Sequence, residues 1–433
     1  MTPQSNFMVL APVAPDRVGG LRQALASMNR APGVVDPQNS VIPFAQFETL
    51  HFARVLVLED RTLDDITAYG LPTVNYPIYL ALLADFDGPE DKFVAELIER
   101  AGAGLKRIFS YCQDFRSGDD LRPWMQSHRI PAATAYVNWI GRTVKQVGEE
   151  AALHDALVGY VRGHAATLAG MQPRQMHEVL MRYVRSEQQL GRLRLTPIAP
   201  TPPGWQLRNL LNLVGVPLVL LLLTPFLLIY LPFFLIQLRW HETHDPDIAP
   251  RIDPAHAHQL AMLEDHDVTN QFSAMGALKP GLFRRSTLVF ILWIIDYTAR
   301  HIYGRGRLAR VSTIHFARWV FLDNKKRLLF ASNYDGSLES YMDDFINKVG
   351  FGLNVVFGNG IGYPRTRWLL LDGAKNEQKF KYVLRRHELA TEVWYNAHPG
   401  LTALDRHRNT LIREGLEKSL LSDAEAQQWL QLI

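Results

Sequence analysis

His51-Phe52-Ala53-Arg54 recurs as His315-Phe316-Ala317-Arg318, and Asp87 to Phe109 (DGPEDKFVAELIERAGAGLKRIF) recurs as Asp335 to Phe357 (DGSLESYMDDFINKVGFGLNVVF). Seven of these 23 positions are identical, and the apolar ones coincide. Phe93, Leu97, Leu105 and Ile108 fall at helical spacing, as do Tyr341, Phe345, Leu353 and Val356. Further on, His128 with Asn138 parallels His387 with Asn396. An internal duplication of over a hundred residues therefore organises the chain.

Each copy reads as β-α-β-β-α-β, the ferredoxin-like order. In the first copy the series is Phe7–Val13, Pro15–Met28, Leu50–Leu58, Ile78–Phe86, Pro89–Tyr111 and Ala133–Ile140. In the second it is Gln271–Leu278, Gly281–Arg300, Ser312–Leu322, Arg327–Asn333, Leu338–Phe357 and Ala390–Tyr395. Asp87 and Glu90 read as a capping box before the second helix. About 16 extra residues between the middle strands of the first copy, with Leu71-Pro72 and Tyr76-Pro77, read as a loop. The fold class is thus α+β: repeat 1 over 1–142, a helical connector over 143–204, a membrane segment over 205–238, a His/Asp/Pro-rich linker over 239–264, repeat 2 over 265–400 and C-terminal helices over 401–433.

Gly215 to Ile236 (GVPLVLLLLTPFLLIYLPFFLI) carries no charge in 22 residues, 16 of them Leu, Ile, Val or Phe. That is the length and composition of a membrane-spanning helix. Pro217, Pro225 and Pro232 interrupt it. Pro225 offers the turn of a hairpin whose arms, about 12 residues each, are too short to cross the bilayer, which would make the protein monotopic; a single kinked span is the alternative. Residues 279–310 add seven basic side chains, Lys279, Arg284, Arg285, Arg300, Arg305, Arg307 and Arg310, against one acid, Asp296. They flank an apolar helix, a pattern suited to anionic headgroups on the cytoplasmic face.

Two ferredoxin-like repeats in one chain resemble the dimeric α+β barrel superfamily, which includes the dye-decolorising (Dyp-type) peroxidases and the chlorite dismutase-like haem proteins. The resemblance covers about 270 residues as a fold pattern, and the Dyp-type G-x-x-D-G motif is absent. It implies a pseudo-dimeric α+β barrel. It also implies haem as a cofactor, with His301, after the first helix of repeat 2, as axial ligand and Arg318, on the next strand, as distal arginine. The residues alone allow a second reading: His301 as a cation at a helix C-terminus and Arg318 as scaffold, since it belongs to the duplicated tetrapeptide. The paired histidines His51/His315 and His128/His387 read as structural for the same reason. His241, His244, His256 and His258 have metal-ligand spacing but lie in a proline-broken linker.

The remaining composition excludes more than it suggests. A net charge of +3 gives no argument for nucleic acid. A single cysteine, Cys112, excludes an internal disulfide framework and multi-cysteine metal sites. Gly358-Asn359-Gly360-Ile361-Gly362 follows a helix rather than opening one, unlike a phosphate cradle. No secretory signal is read at the N-terminus. Three functions follow: a membrane-associated haem oxidoreductase of peroxidase type acting on a lipophilic substrate, a non-catalytic membrane-associated ligand-binding or scaffold protein, or a cofactor-free enzyme using the inter-repeat cavity. The oligomeric state is not legible.

Overall fold

The computed structural model describes every residue of the chain except 249, 307, 309, 419 and 420. The protein is a mixed α+β structure with two four-stranded antiparallel sheets and one long apolar helix. The sheet strands are β1 (Gln4–Pro12), β2 (Leu50–Leu58), β3 (Tyr79–Asp87), β4 (Thr134–Val137), β5 (Thr269–Ala277), β6 (Ile314–Leu322), β7 (Arg327–Asp335) and β8 (Val393–Asn396). The main helices are α1 (Val18–Ala26), α2 (Glu90–Phe109), α3 (Leu121–Ser127), α4 (Val144–Gly163), α5 (Pro173–Gln189), α6 (Pro203–His244), α7 (Leu282–His301), α8 (Leu338–Phe357), α9 (Glu377–His387), α10 (Ala403–Glu417) and α11 (Asp423–Leu430).

The first sheet runs β1-β3-β2-β8 and the second β4-β6-β7-β5. The duplication reaches the register. Gln4 faces Asp87 across β1 and β3, and Thr269 faces Asp335 across β5 and β7. Both halves carry the same irregularity, at His51 on β2 and at His315 on β6. Such a bulge re-aims one side chain, and here the side chain is the duplicated histidine.

Repetition of the sequence leaves open which sheet receives the last strand of each copy. In the structure each final strand serves both sheets. Leu10 N donates to His128 O and Ile130 N to Met8 O, so residues 128–130 run beside β1. A few residues later β4 pairs with β6 of the other half. The second half mirrors this: Glu388 bridges Ala274 on β5, and β8 pairs with β2. The strands expected to complete their own repeats thus tie the halves together.

The core is layered. α1, α2 and α3 cover the outer face of the first sheet, and α7 and α8 that of the second. Between the sheets lie Met8, Leu10, Leu56, Leu58, Leu83, Met275, Val320 and Leu329. The middle strands bury both faces, which is why LHFARVLVL and RLLFASNYD are buried throughout. α4, α5, α10 and α11 form a separate helical cluster around Leu153, Leu180, Ile412 and Trp429.

Two local expectations change. Asp87 does not cap α2, whose N-cap is Pro89 without a side-chain cap; the carboxylate is held by His51 and the Val144 backbone instead. The extra segment of the first half contains a short helix, Leu63–Ala68, whose Asp65 receives a bidentate Arg386 at 2.7–2.9 Å.

The hairpin expected at Pro225 is not formed. α6 is one helix of 42 residues with Pro217, Pro225 and Pro232 inside it, about 63 Å at 1.5 Å per residue. None of its most apolar window is buried, so it is not the core helix of a soluble protein. It touches the body at both ends. Near its start, Asn212 Oδ1 lies 2.8 Å from His301 Nε2, and Tyr297 donates to Leu213 O at 3.3 Å. Near its end, Phe234 packs at a tilt against Phe283 and His241 stacks on it, each with ring centroids 5.3 Å apart. Glu242 there accepts from Thr366 Oγ1, Trp368 N and Leu369 N at 2.8–2.9 Å. Tyr297, His301 and Phe283 all belong to α7, so α6 runs antiparallel along α7. Residues 221–233 between the two contacts are exposed throughout.

Candidate functional site

The duplicated tetrapeptide sits where the sheets meet, and its arginines cross. Arg54 donates to Phe272 O (2.9 Å), Ser273 Oγ (2.7 Å), Ser332 O (2.9 Å) and Asn333 Oδ1 (2.5 Å), all in the second half. Arg318 donates to Phe7 O (2.9 Å), Ala84 O (3.0 Å) and Asp85 Oδ1 in the first. Asp85 and Asn333 occupy equivalent positions on β3 and β7, so the two halves differ here by one carboxylate. Burial lowers the Arg54 pKa to about 9 despite the attraction of Asp85, and Arg318 adds repulsion.

Beside them Phe52 and Phe316 pack edge to face at 5.6 Å. His51 donates to Asp87 at 2.9 Å and His315 to Asp335 at 2.6 Å. The second oxygens of these carboxylates accept Val144 N and Ala403 N, which anchors the first turns of α4 and α10. Burial pushes the His315 imidazole down to about 4. The duplicated polar residues are therefore engaged in joining elements.

His301 and Arg318 are not brought together. α7 covers the face of the second sheet formed by Ala317 and Trp319. Arg318 points the other way, since alternate residues of a strand face opposite sides. The sheet thus lies between them, His301 Nε2 is engaged with Asn212, and Arg318 has three acceptors of its own. This pair does not fit a haem. The linker histidines are equally dispersed. His241 stacks on Phe283 and lies 3.6 Å from Asp245, and His244 stacks on Trp240. His256 is buried and donates from Nε2 to Glu388 O, and His258 is exposed. Among the described residues no three His, Cys, Asp or Glu side chains gather in a metal-binding group.

The basic residues divide into two sets. Lys279 and Arg284 are buried against Asp245, at 3.4 and 2.7 Å, and burial lowers the Lys279 pKa to about 8. These two are spent internally, because a buried cation needs a charged partner. Arg285 stays half-buried, and Arg300 pairs with Asp296 at 3.4 Å. Arg305 and Arg310 are exposed beyond the end of α7; Arg307 lies outside the described residues.

Several recesses lie among the described residues. An apolar cavity of about 60 Å³ lies between the second sheet and α8 and α9, lined by Phe272, Gly276, Phe357, Phe380, Val383 and His387. His387 donates from Nδ1 to Val383 O at 2.8 Å, which fixes its tautomer. The first half fills the equivalent space. Trp124 stands where the second half has Val383; it packs at a tilt against Phe109 at 4.5 Å and stacks on His128 at 4.1 Å. A Trp opposite a Val in otherwise matching segments is the signal that could have located this cavity.

His387 also borders a smaller polar recess with Arg22, His256 and Glu392. Burial pushes the Glu392 carboxyl up to about 7, while Val57 N donates to it at 2.9 Å. A third recess is a pair of cavities, about 380 and 360 Å³, that share Arg305 near the start of α6. No family model matches the chain, and no curated protein or solved structure matches it.

Proposed function

We propose that this chain is a monotopic membrane protein whose body is a ligand-binding module at one leaflet. The body is read as two ferredoxin-like repeats closed into one pseudo-dimeric α+β barrel. Supporting that reading are the register shared by the two halves and the final strands that bond to both sheets. Against a haem peroxidase stand the separation of His301 from Arg318 and the engagement of both side chains.

One observation carries the membrane reading: both ends of α6 dock on α7 of the same body. The contacts at Leu213 and Phe234 are 21 residues apart, about 32 Å along the helix, so a spanning α6 would carry α7 and the sheet it covers into the hydrocarbon. A helix held in this way lies along the leaflet with its apolar surface among the lipids. Arg300, Arg305 and Arg310 beside it favour the anionic cytoplasmic face.

Single cysteines at Arg194 and Lys375, one on each side of α6 and both exposed, test this in a Cys112→Ser background. In sealed proteoliposomes of uniform orientation, an impermeant maleimide should label both from the same side. Labelling from opposite sides would establish a span and defeat the proposal.

A further inference from the structure

We infer that the paired cavity at Arg305 binds the phosphate of an anionic phospholipid headgroup. This inference rests on the leaflet-bound reading above, because the position of the cavity is what makes a lipid its occupant. Ile198, five residues before α6 begins, lies in its wall. Gly304 and Arg305, also in the wall, follow His301, which holds Asn212 of α6. The recess therefore opens beside the start of the apolar helix, at the depth of the headgroups.

Its chemistry is that of an anion site with built-in stacking. Arg142 and Arg305 lie against the Trp139 ring, 5.0 and 5.8 Å from its centroid. Arg142 is 5% exposed. Its Nη2 donates to Asn138 Oδ1 at 3.3 Å, whereas its Nη1 has no hydrogen-bond partner. Arg413 Nη1 has no hydrogen bond either and stands 3.8 Å from Glu150.

Three acids share the first chamber. Glu150 is engaged by Thr410 and Gln146, Glu417 by Arg413 Nε, and Glu414 is exposed. The second chamber has no acid among its described lining residues: Arg305, Gly306, Arg310, Ser312, Ala403, Leu404 and His407. The phosphate belongs in that chamber, between the Arg305 and Arg310 guanidinia. Such groups bind phosphate through paired charge-assisted donors.

The test uses the full chain in neutral detergent micelles and reads thermal stability. Three probes are titrated: a short-chain phosphatidic acid, the matching phosphatidylcholine, and inorganic phosphate. The phosphatidic acid should raise the melting temperature and the phosphatidylcholine should not. Arg305→Gln with Arg310→Gln should melt as the wild type does without lipid, which reports an intact fold, and should bind the phosphatidic acid about thirtyfold more weakly. An equal response to inorganic phosphate would show a site for free phosphate and overturn the lipid assignment. An unchanged response in the double variant would overturn the site itself. The assay holds no bilayer, so its outcome is independent of the labelling experiment. A shift that persists while the labels report a span would refute the monotopic reading and leave the phosphate site standing.

Discussion

Asp85→Asn removes one charge from the place where the sheets cross and changes little else. Asn333 already occupies the equivalent position in the second half, where its Oδ1 accepts from Arg54, so an amide fits this strand geometry. The substitution leaves the Arg54 and Arg318 guanidinia buried, at 4% and 3% exposure, with no carboxylate directly between them. Two unit charges about 4 Å apart interact by about 4 kcal/mol at an effective dielectric constant of about 20. The amide keeps a neutral hydrogen bond to Arg318, which returns about 1 kcal/mol. A loss of about 3 kcal/mol is expected, within the range for breaking a buried pair. Adding Arg54→Met removes the second uncompensated charge, so the double variant should be more stable than the sum of the singles by about 1–3 kcal/mol. Urea titration of the full chain in one detergent, followed by tryptophan fluorescence, measures this; Trp319 and Trp394 lie next to the site on β6 and β8. If Asp85→Asn costs under about 1 kcal/mol, or the two substitutions are additive, the carboxylate does not balance the crossed arginines and the reasoning fails.

The other predictions are independent of that pair. Acid should destabilise the fold through His315 and His398, both pushed down to about 4 by burial from the usual 6.5. Between those values the unfolded chain binds protons that the folded chain does not, so stability falls as pH falls from about 6.5 to about 4, by about 3 kcal/mol per group at the acid end. His398→Gln, which keeps a donor for Val144 O, should flatten about half of that slope; a pH-independent urea midpoint would contradict it. Gly276→Ala would place a Cβ 2.5 Å from the His387 ring and should cost about 1–3 kcal/mol by overpacking. The same change in a His387→Ala background should be nearly neutral, and an equal cost there would show that the ring is not the obstacle.

Much of the fold was legible because the chain says it twice. The His-Phe-Ala-Arg tetrapeptide and the 23-residue helix segment located β2, α2, β6 and α8 to within about two residues. The duplication allowed a scaffold reading of Arg318 beside its reading as a distal arginine; in the structure Arg54 and Arg318 bond across the sheets, whereas His51 and His315 bond Asp87 and Asp335 within their own halves. The cavity beside His387 was less visible, because its cause is a difference between the copies, Val383 against Trp124, while the reading concentrated on their likeness. The recess at Arg305 was seen only as a run of basic residues; that Lys279 and Arg284 turn inward to Asp245 while Arg305 and Arg310 stay outside depends on the linker folding back from α6.

The sequence by itself determined the local elements and the presence of a long apolar helix. Periodicity, turn residues and the absence of charge act over a few residues at a time, and each is written in the order of the chain. Tertiary structure alone decided where those elements meet. A strand at 134–137 has the same pattern whether it pairs with its own half or with the other. An apolar segment with three prolines has the same composition whether it turns back on itself or continues as one helix. The choice was made by contacts hundreds of positions apart in the chain or spread along a whole helix: Arg318 with Asp85, β4 with β6, and the two ends of α6 with α7. Each of those contacts needs partners that only the folded chain brings together.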